Sequence, residues 1–333
     1  YGTNILMNIV NEAGALPTKN FRAGRFERAA EVSGEKLAEV AIARGGKATH
    51  TCHPGCIIRC SNIYPLPDGK VCAPIEYETA WALGPNLTID SLDTIGRLNY
   101  ICNDVGLDTI ETGVTLGVLM EAGVIPFGDG EAAVRMLEEV AKGTALGRII
   151  GSGAAVAGRI FGVTRVPVVK GQSLPAYDPR GCKGVGVTYA TSPMGADHTA
   201  GYAVATNILK IGGYVDPLSK EGQVELSRNV QIATAALDST GLCLFVAFAV
   251  LDNEEGLPTI AEMINAQYNL DLKVEDLLNL GRQILKTERE FNLKAGFTSA
   301  DDRLPEFFLN EEMPPHNTKF DVPDSELDQV LNF

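Results

Sequence analysis

The segment Cys-His-Pro-Gly-Cys-Ile-Ile-Arg-Cys places three cysteines, Cys52, Cys56 and Cys60, at intervals of four residues. A fourth cysteine, Cys243, lies far downstream in the segment Asp-Ser-Thr-Gly-Leu-Cys. Three thiolates from one short segment and one remote thiolate are a typical ligand set of a cubane 4Fe-4S cluster, because a tight loop reaches three irons but seldom all four. A chain that builds such a site must fold two distant segments onto one centre.

Other interpretations of the same cysteines are a structural zinc site and three cysteines on one helical face without a metal. Pro54 and Gly55 favour a loop over a helix, and zinc sites more often present cysteines as two separated pairs. A radical-SAM site needs its last two cysteines three apart, whereas Cys56 and Cys60 are four apart. Spacing alone leaves the cluster, zinc and a metal-free segment open.

Composition restricts the class of protein. A chain of 333 residues with 45% hydrophobic and 21% charged residues is long enough for two globular domains. Its net charge of −14 disfavours nucleic acid and an anionic membrane as partners. No segment approaches the ~20 apolar residues that span a bilayer, and the first residues lack the pattern of a signal peptide. We therefore predict a cytoplasmic protein.

Seven cysteines are too few for a disulfide framework in a chain of this size. With four assigned to the cysteine site, three remain. We predict that Cys72, Cys102 and Cys182 are buried structural residues in a reducing cytoplasm.

Hydrophobic periodicity predicts a mainly α fold with minor β structure. We predict N-caps at Thr3, Ser33 and Asp90, a hairpin within residues 57–71, an irregular centre over residues 163–206, and an extended surface tail after Phe297. The predicted helices cover residues 3–14, 33–44, 76–83, 91–105, 109–123, 130–143, 145–162, 221–237, 260–268 and 274–294.

Four runs carry a family resemblance: PIEYETAWALGPNLTIDSLDTI from Pro74, CNDVGLDTIETG from Cys102, AYDPRGCKGVGVTYATSPMGADH from Ala176, and DSTGLC from Asp238. Together they resemble the aldehyde ferredoxin oxidoreductase family of tungsten or molybdenum enzymes with two pterin cofactors. The resemblance covers nearly the whole chain and weakens after about Leu304. It implies two pseudo-symmetric helical domains with a loop-rich centre, predicted here as residues 1–162 and 163–333.

The opening YGTNILMNIVNEAGALPTKNF resembles the start of the family's second domain. The family's amino-terminal, mostly β domain, which cradles the pterins, is therefore expected to lie outside this chain. On that expectation the pterin-facing walls are solvent-exposed, and the chain by itself is inactive.

The resemblance also implies site residues. The motifs Asn-Asp-Val-Gly-Leu-Asp and Asp-Ser-Thr-Gly-Leu-Cys match a family repeat that contributes one pterin-binding motif from each domain. The residues carried over are the cofactor-binding Asn103, Asp108, Asp238 and Leu242, and the cluster ligands Cys52, Cys56, Cys60 and Cys243. Three positions depart from the family: Asn103 replaces an aspartate, the spacing from Cys52 to Cys56 is one residue longer than usual, and Arg97 replaces a glutamate that in some members binds an iron between subunits.

The implied catalytic residues are Glu78 and His198, which the family places beside the metal. Without the resemblance, Glu78 is a solvated helix-face carboxylate and His198 a hydrogen-bonded core histidine. With it, we expect Glu78 to take the proton from an attacking water and His198 to stabilise charge on a carbonyl oxygen.

The expected reaction is oxidation of a small aldehyde to a carboxylic acid, with electrons leaving through the 4Fe-4S cluster to ferredoxin. The resemblance does not fix the aldehyde, the choice between tungsten and molybdenum, or whether the protein is a homo-oligomer. The alternatives are an iron-sulfur electron-transfer module and a non-catalytic structural domain of a larger complex. Glu78 and His198 argue against the electron-transfer module, since it needs no catalytic side chains.

Overall fold

The computed structural model describes residues 1–333, apart from the side chain at position 251. The chain is mainly helical, as predicted. The helices are α1 Leu6–Glu12, α2 Gly34–Ala43, α3 Tyr77–Ala82, α4 Leu92–Val105, α5 Thr109–Glu121, α6 Gly130–Lys142, α7 Ala145–Ile150, α8 Ala154–Phe161, α9 Lys183–Thr191, α10 Gln223–Ser239, α11 Val246–Asp252, α12 Gly256–Tyr268, α13 Val274–Ala295, α14 Phe307–Asn310 and α15 Asp324–Leu327. The strands are β1 Lys47–His50, β2 Ser61–Ile63, β3 Val168–Val169 and β4 Gln172–Ser173, which form two antiparallel pairs.

The chain divides into two compact units, neither of which is continuous in sequence. Unit 1 contains residues 1–181 and 305–319, and unit 2 contains residues 182–304 and 320–333. The predicted domain boundary after residue 162 lies inside unit 1, because residues up to 181 pack there; the Asp178 amide, for example, donates to Ala15 O at 2.9 Å. The assignment of separate functional motifs to residues 1–162 and 163–333 stays a prediction.

The core of unit 1 is built around Trp81 of α3. Its ring is fully buried, and Nε1 donates to Pro17 O at 2.7 Å. The Trp81 ring lies 5.8 Å from the ring of Phe21, which lies 5.5 Å from that of Phe308 in the tail. The prediction of an extended surface tail is wrong in part: Phe308 and Met313 are fully buried and residues 307–310 are helical, whereas most other residues of 305–319 are exposed. The burial of apolar surface stabilises these two side chains in the core, where Phe308 packs against Phe21.

Serine hydroxyls begin two helices of unit 1. Ser33 caps α2, as predicted. Ser91 caps α4 by accepting from the Thr94 amide at 3.2 Å, whereas the predicted cap, Asp90, pairs with Arg28 at 2.7 Å. The helix therefore begins one residue later than an Asp90 cap requires.

Unit 2 contains α9, which the sequence did not predict. All nine residues of α9 are buried, so the helix has no polar face and its sequence shows no amphipathic period. Helix α13 packs against α10 at Gly281, where a Cβ would lie 2.2 Å from Ile232 O. Leu237, Ile260 and Leu277 form the apolar cluster that α11 packs against.

All seven cysteines are free thiols. Cys72, Cys102 and Cys182 are buried, as predicted, and burial raises the pKa of these thiols to about 11, about 11 and about 12 respectively. They are therefore protonated at neutral pH and poor metal ligands. Of the helices that the structure describes, none combines the length and apolar character needed to cross a bilayer.

Candidate active site

The cysteine segment is the connection of a short β-hairpin. β1 and β2 pair antiparallel, with Lys47 opposite Ile63 and His50 opposite Ser61. The residues between His50 and Ser61 form turns and bends without a helix, which confirms the prediction of a loop. The strand pairing fixes both ends of this loop, so the three cysteines it carries are confined to one small region of unit 1.

The loop is shaped by residues in left-handed conformation. Gly55 has a φ of +83° and Arg59 a φ of +52°, and the Cys56 amide donates to His53 O at 3.2 Å. Cys52 is exposed, while Cys56 and Cys60 are half-buried. These thiols are accessible, unlike the three buried ones, and thiolates are the donors that an iron-sulfur cluster requires.

The fourth predicted ligand, Cys243, belongs to unit 2 and is exposed. Among the residues that the structure describes, no group of three or more His, Cys, Asp or Glu side chains is arranged to hold a metal ion. The assignment of Cys52, Cys56, Cys60 and Cys243 to one cluster stays a prediction.

Glu78 lies in the first turn of α3 and is half-buried. Its Oε2 accepts from the Ala176 amide at 3.0 Å, and the hydroxyl of the preceding residue, Tyr77, donates to Ala176 O at 3.1 Å. The rings of Tyr77 and Tyr177 lie 5.7 Å apart. Ala176 is thus held on both sides of its backbone, and the Glu78 carboxylate has a fixed orientation.

Thr3 orients the start of α3. It does not cap α1, so the predicted N-cap is wrong. Its hydroxyl donates to Glu76 Oε2 at 2.6 Å and accepts from the Tyr77 amide at 3.0 Å. Residues 2–5 form a 3-10 helix before α1. The hydroxyl of Thr3 therefore satisfies a free amide of α3, a long-range contact that local sequence cannot reveal.

Tyr177, Asp178 and Arg180 are fully buried. Arg180 donates to both carboxylate oxygens of Asp178, at 2.9 and 2.7 Å. A buried arginine with its charge paired in this way holds a turn of the chain.

The first predicted pterin motif lies at the junction of α4 and α5. Asn103 and Asp108 are exposed. Asp108 caps α5 by accepting from the Glu111 amide at 2.7 Å, and Gly106, with a φ of +77°, ends α4. The Nδ2 of Asn103 lies 2.9 Å from both Asn99 O and Asn99 Oδ1.

Asn99 is a polar residue of the site that the sequence reasoning missed. It is 1% exposed, and its Nδ2 donates to Ala73 O at 2.8 Å and to Pro74 O at 3.3 Å. The following residue, Ile75, exchanges two hydrogen bonds with the Asn62 amide group, at 2.8 and 3.1 Å. An asparagine beside Leu98 on the inward face of α4 was the available signal, because a buried amide must find partners.

In unit 2, His198 lies on the loop after α9 and is half-buried. Its ring centroid lies 5.9 Å from that of Tyr202, which lies 5.9 Å from that of Phe248 in α11. Aromatic packing against Tyr202 therefore contributes to the position of the His198 ring.

The second predicted pterin motif ends α10. Asp238 is exposed, and Leu242 is half-buried against the apolar cluster. Burial of part of Asp238 and, second, the charge of Asp197 raise the pKa of the Asp238 carboxyl above its usual value. Asp197, the residue before His198, is thus an electrostatic neighbour of this motif that the sequence did not indicate.

The candidate residues divide between the units. Unit 1 holds Glu78, Asn103, Asp108 and three cysteines, and unit 2 holds His198, Asp238, Leu242 and Cys243. Within unit 1, hydrogen bonds link the segments of Glu78 and Asn103 through Asn99 and residues 73–75.

Comparisons with known proteins show which family the chain is similar to. The family model described as aldehyde ferredoxin oxidoreductase, domains 2 and 3, matches residues 1–332. The tungsten-containing aldehyde ferredoxin oxidoreductases of Pyrococcus furiosus and Thermococcus kodakarensis are each 37% identical over 332 residues, covering 94% of this chain and 53% of the relative. The chain thus spans about half the length of these relatives.

Two more distant proteins are similar. The aliphatic sulfonate oxidoreductase, WOR-like subunit, of Pyrococcus furiosus is 27% identical over 304 residues, which cover 82% of this chain and 44% of that protein. Among solved structures, the active site complex BamBC of benzoyl coenzyme A reductase with 1,5-dienoyl-CoA matches 97% of this chain and 55% of its own, with a TM-score of 0.69 and 13% identity. At 13% identity, the similarity to the benzoyl coenzyme A reductase structure concerns the fold alone.

The family model extends over practically the whole chain, and the relatives at 37% identity cover 94% of it. The chain belongs to the aldehyde ferredoxin oxidoreductase family, of which it represents domains 2 and 3.

Proposed function

We propose that the chain is the C-terminal part of a tungsten-dependent oxidoreductase that oxidises an aldehyde to a carboxylic acid and delivers the electrons to ferredoxin. The observation that carries the proposal is the fixed, half-buried carboxylate of Glu78, clasped at Ala176, in a chain that matches the family over residues 1–332. Tungsten is proposed over molybdenum because the relatives at 37% identity are tungsten-containing.

The reaction balances with water as the oxygen donor: an aldehyde and one water give a carboxylic acid, two electrons and two protons. When bound, the tungsten pterins supply the two-electron oxidation and the 4Fe-4S cluster carries electrons away singly. The side chains of the chain orient the substrate and move the protons.

Glu78 is the proposed general base. The Ala176 amide holds Oε2 in place, so the carboxylate points in one direction and pays little ordering entropy when it accepts a proton from the attacking water. His198 is the proposed donor to the carbonyl oxygen, where negative charge builds during attack. Packing against Tyr202 limits the rotation of its ring.

The residues present fit the proposed cofactors by the chemistry of their donors. Accessible thiols of Cys52, Cys56, Cys60 and Cys243 would hold the cluster. The exposed side chains of Asn103 and Asp238 carry oxygens that would accept hydrogen bonds from pterin ring N–H groups.

The test uses the tungsten-loaded enzyme. We expect Glu78→Ala and His198→Ala to lower aldehyde-dependent ferredoxin reduction by about 10²-fold or more, since a positioned acid or base contributes 10² to 10⁴, while tungsten content stays close to normal. Glu35→Ala and His316→Ala are the matched controls, because both side chains are exposed and neither is a candidate site residue: Glu35 accepts from Asn8 Nδ2 at 3.0 Å, and His316 contacts Ala13 O at 2.8 Å.

Three outcomes count against the proposal. Near-normal turnover in either variant removes that residue from the mechanism. Loss of tungsten together with activity assigns it a structural role. An intact enzyme that contains no tungsten, or that reduces ferredoxin with no aldehyde, overturns the function itself.

A further inference from the structure

The buried side-chain amide of Asn99 fixes the orientation of the exposed side-chain amide of Asn103. Asn103 Nδ2 lies 2.9 Å from two acceptors on the preceding turn of α4, Asn99 O and Asn99 Oδ1. The first is a backbone carbonyl and can only accept. The second acceptor is the side-chain amide of Asn99. Its oxygen, rather than its nitrogen, faces Asn103 only in one of the two possible orientations of that amide.

Backbone carbonyls settle the orientation of Asn99. Its other amide atom faces Ala73 O at 2.8 Å and Pro74 O at 3.3 Å. Both partners are acceptors, so the atom facing them must be the nitrogen, and Oδ1 must face Asn103. Turning Asn99 over would place an oxygen against two carbonyl oxygens in a position that is 1% exposed, at the full cost of a buried unpaired acceptor.

The same reasoning then applies to Asn103. Its nitrogen faces two oxygens, and the reversed amide would set oxygen against both. Its Oδ1 is therefore the amide atom directed away from Asn99, on a residue that is exposed.

We propose that Asn99 is a positioning residue that makes Asn103 an uncharged hydrogen-bond acceptor for a ring N–H group of the bound pterin. The inference rests on the proposed function, because the pterin is part of it. Asn103 replaces the family's aspartate, and with this orientation it keeps the accepting oxygen of a carboxylate without its charge. It selects for a donor at that position of the ligand, since an acceptor there would leave two oxygens facing each other.

Asn99 also ties this orientation to the catalytic segment. The residues it holds, Ala73 and Pro74, precede Ile75, whose carbonyl accepts from Asn62 and Asn4. Glu78 follows three residues later. A variant of Asn99 thus acts on both the pterin contact and the start of α3.

The sharpest test changes Asn103 and leaves the buried network intact. In Asn103→Asp, a carboxylate oxygen must face Asn99 O and Oδ1, so we expect the holoenzyme to retain about fivefold less pterin and tungsten per iron, the equivalent of one hydrogen bond. The double variant Asn99→Ser with Asn103→Asp removes the Asn99 Oδ1 that would face the new carboxylate and places a hydroxyl donor at the same position of α4. We expect its pterin-to-iron ratio to return toward that of the wild type although its thermal midpoint falls.

Asn86→Ala is the matched control, because Asn86 is a fully buried asparagine of unit 1 whose Nδ2 donates to a distant carbonyl, Gly113 O, at 3.1 Å. We expect it to lower the thermal midpoint and leave the pterin-to-iron ratio unchanged. A merely structural role of Asn99 predicts no rescue in the double variant, since that variant is the less stable one.

The outcomes separate this inference from the function it rests on. Wild-type pterin content in Asn103→Asp, or a double variant no better than the single one, overturns the inference and leaves the function standing. A wild-type holoenzyme without pterin overturns both.

Discussion

The two motifs that end α4 and α10 share a backbone and differ in their electrostatics. Each has a glycine in left-handed conformation after its helix, Gly106 with a φ of +77° and Gly241 with a φ of +75°, followed by a leucine. In the first motif the leading side chain, Asn103, is neutral and anchored by Asn99. In the second, Asp238 is ionisable, and burial and Asp197 raise its pKa.

The difference shows that a repeated sequence specifies a helix end and leaves the chemistry to the neighbours. Glycine supplies the left-handed conformation that stops a helix wherever it occurs. The neighbours of the leading residue differ: Asn103 contacts the buried amide of Asn99 in unit 1, and Asp238 is influenced by the carboxylate of Asp197 in unit 2. The leading residue of unit 1 is thus a neutral side chain held by hydrogen bonds, and that of unit 2 is an ionisable side chain close to a second carboxylate.

We expect the largest effect on stability from removing the Asn62 side chain, which bonds the backbone of Ile75 in unit 1. Asn62→Leu leaves the amide and carbonyl of Ile75 without their Asn62 partners in a fully buried position. Its free energy of unfolding should fall by about 2 kcal/mol, because the buried Ile75 amide is left unpaired while the Ile75 carbonyl keeps its bond from Asn4. Urea denaturation measures this. Asn8→Ala, which removes one exposed bond to Glu35, is the control and should change stability by less than about 0.5 kcal/mol.

We expect a smaller effect on stability from replacing a buried amide side chain of unit 2, Gln231. Gln231 donates to the hydroxyls of Thr191 and Ser227, at 3.1 and 3.0 Å, and its Oε1 has no hydrogen-bond partner among the residues that the structure describes. Gln231→Leu removes that unpaired oxygen, and Thr191 keeps its bond to Val187 O at 2.8 Å. We expect a loss of about 1 kcal/mol in the same urea experiment. A loss equal to that of Asn62→Leu would contradict the contrast between the units.

The smallest effect concerns pH. The raised pKa of Asp238 means that its charge disfavours the folded state, so the stability gained by protonating it is fully present below the unfolded pKa of about 3.9 and lost as pH rises through the folded pKa. Asp238→Asn should therefore be more stable than the wild type at pH 7 and equally stable at about pH 3.

Denaturation at both pH values measures this difference, and Asp197→Asn should reproduce part of it by removing the neighbouring charge. If Asp238→Asn differs from the wild type by the same amount at both pH values, the second motif does not carry the ionisable group that distinguishes it from the first.

The sequence predicts what depends on local pattern. Ser33, the helix α4 and the loop around Pro54 and Gly55 follow from caps, period and turn residues. It fails where tertiary contacts decide: α9 has no polar face to reveal it, and Thr3 serves a helix more than 70 residues away.

The candidate site shows the same division. Motifs indicated Glu78 and His198, but the partners that orient them, Ala176 and Tyr202, depend on how distant segments pack. The buried amide of Asn99 gave a signal on the apolar face of α4. The proximity of Asp197 to Asp238 gave none, because nothing in either segment encodes the other.

The segment of residues 305–319 has a consequence for the synthesis of the protein. Unit 1 begins at the first residue, yet its core closes only with Phe308 and Met313, after all of residues 182–304 have been made. At ~5–20 residues per second on the ribosome, Phe308 is synthesised roughly 15 to 60 seconds after Phe21, against which it packs. During that interval the core of unit 1 lacks Phe308 and Met313, so apolar surface that is buried in the folded protein stays accessible.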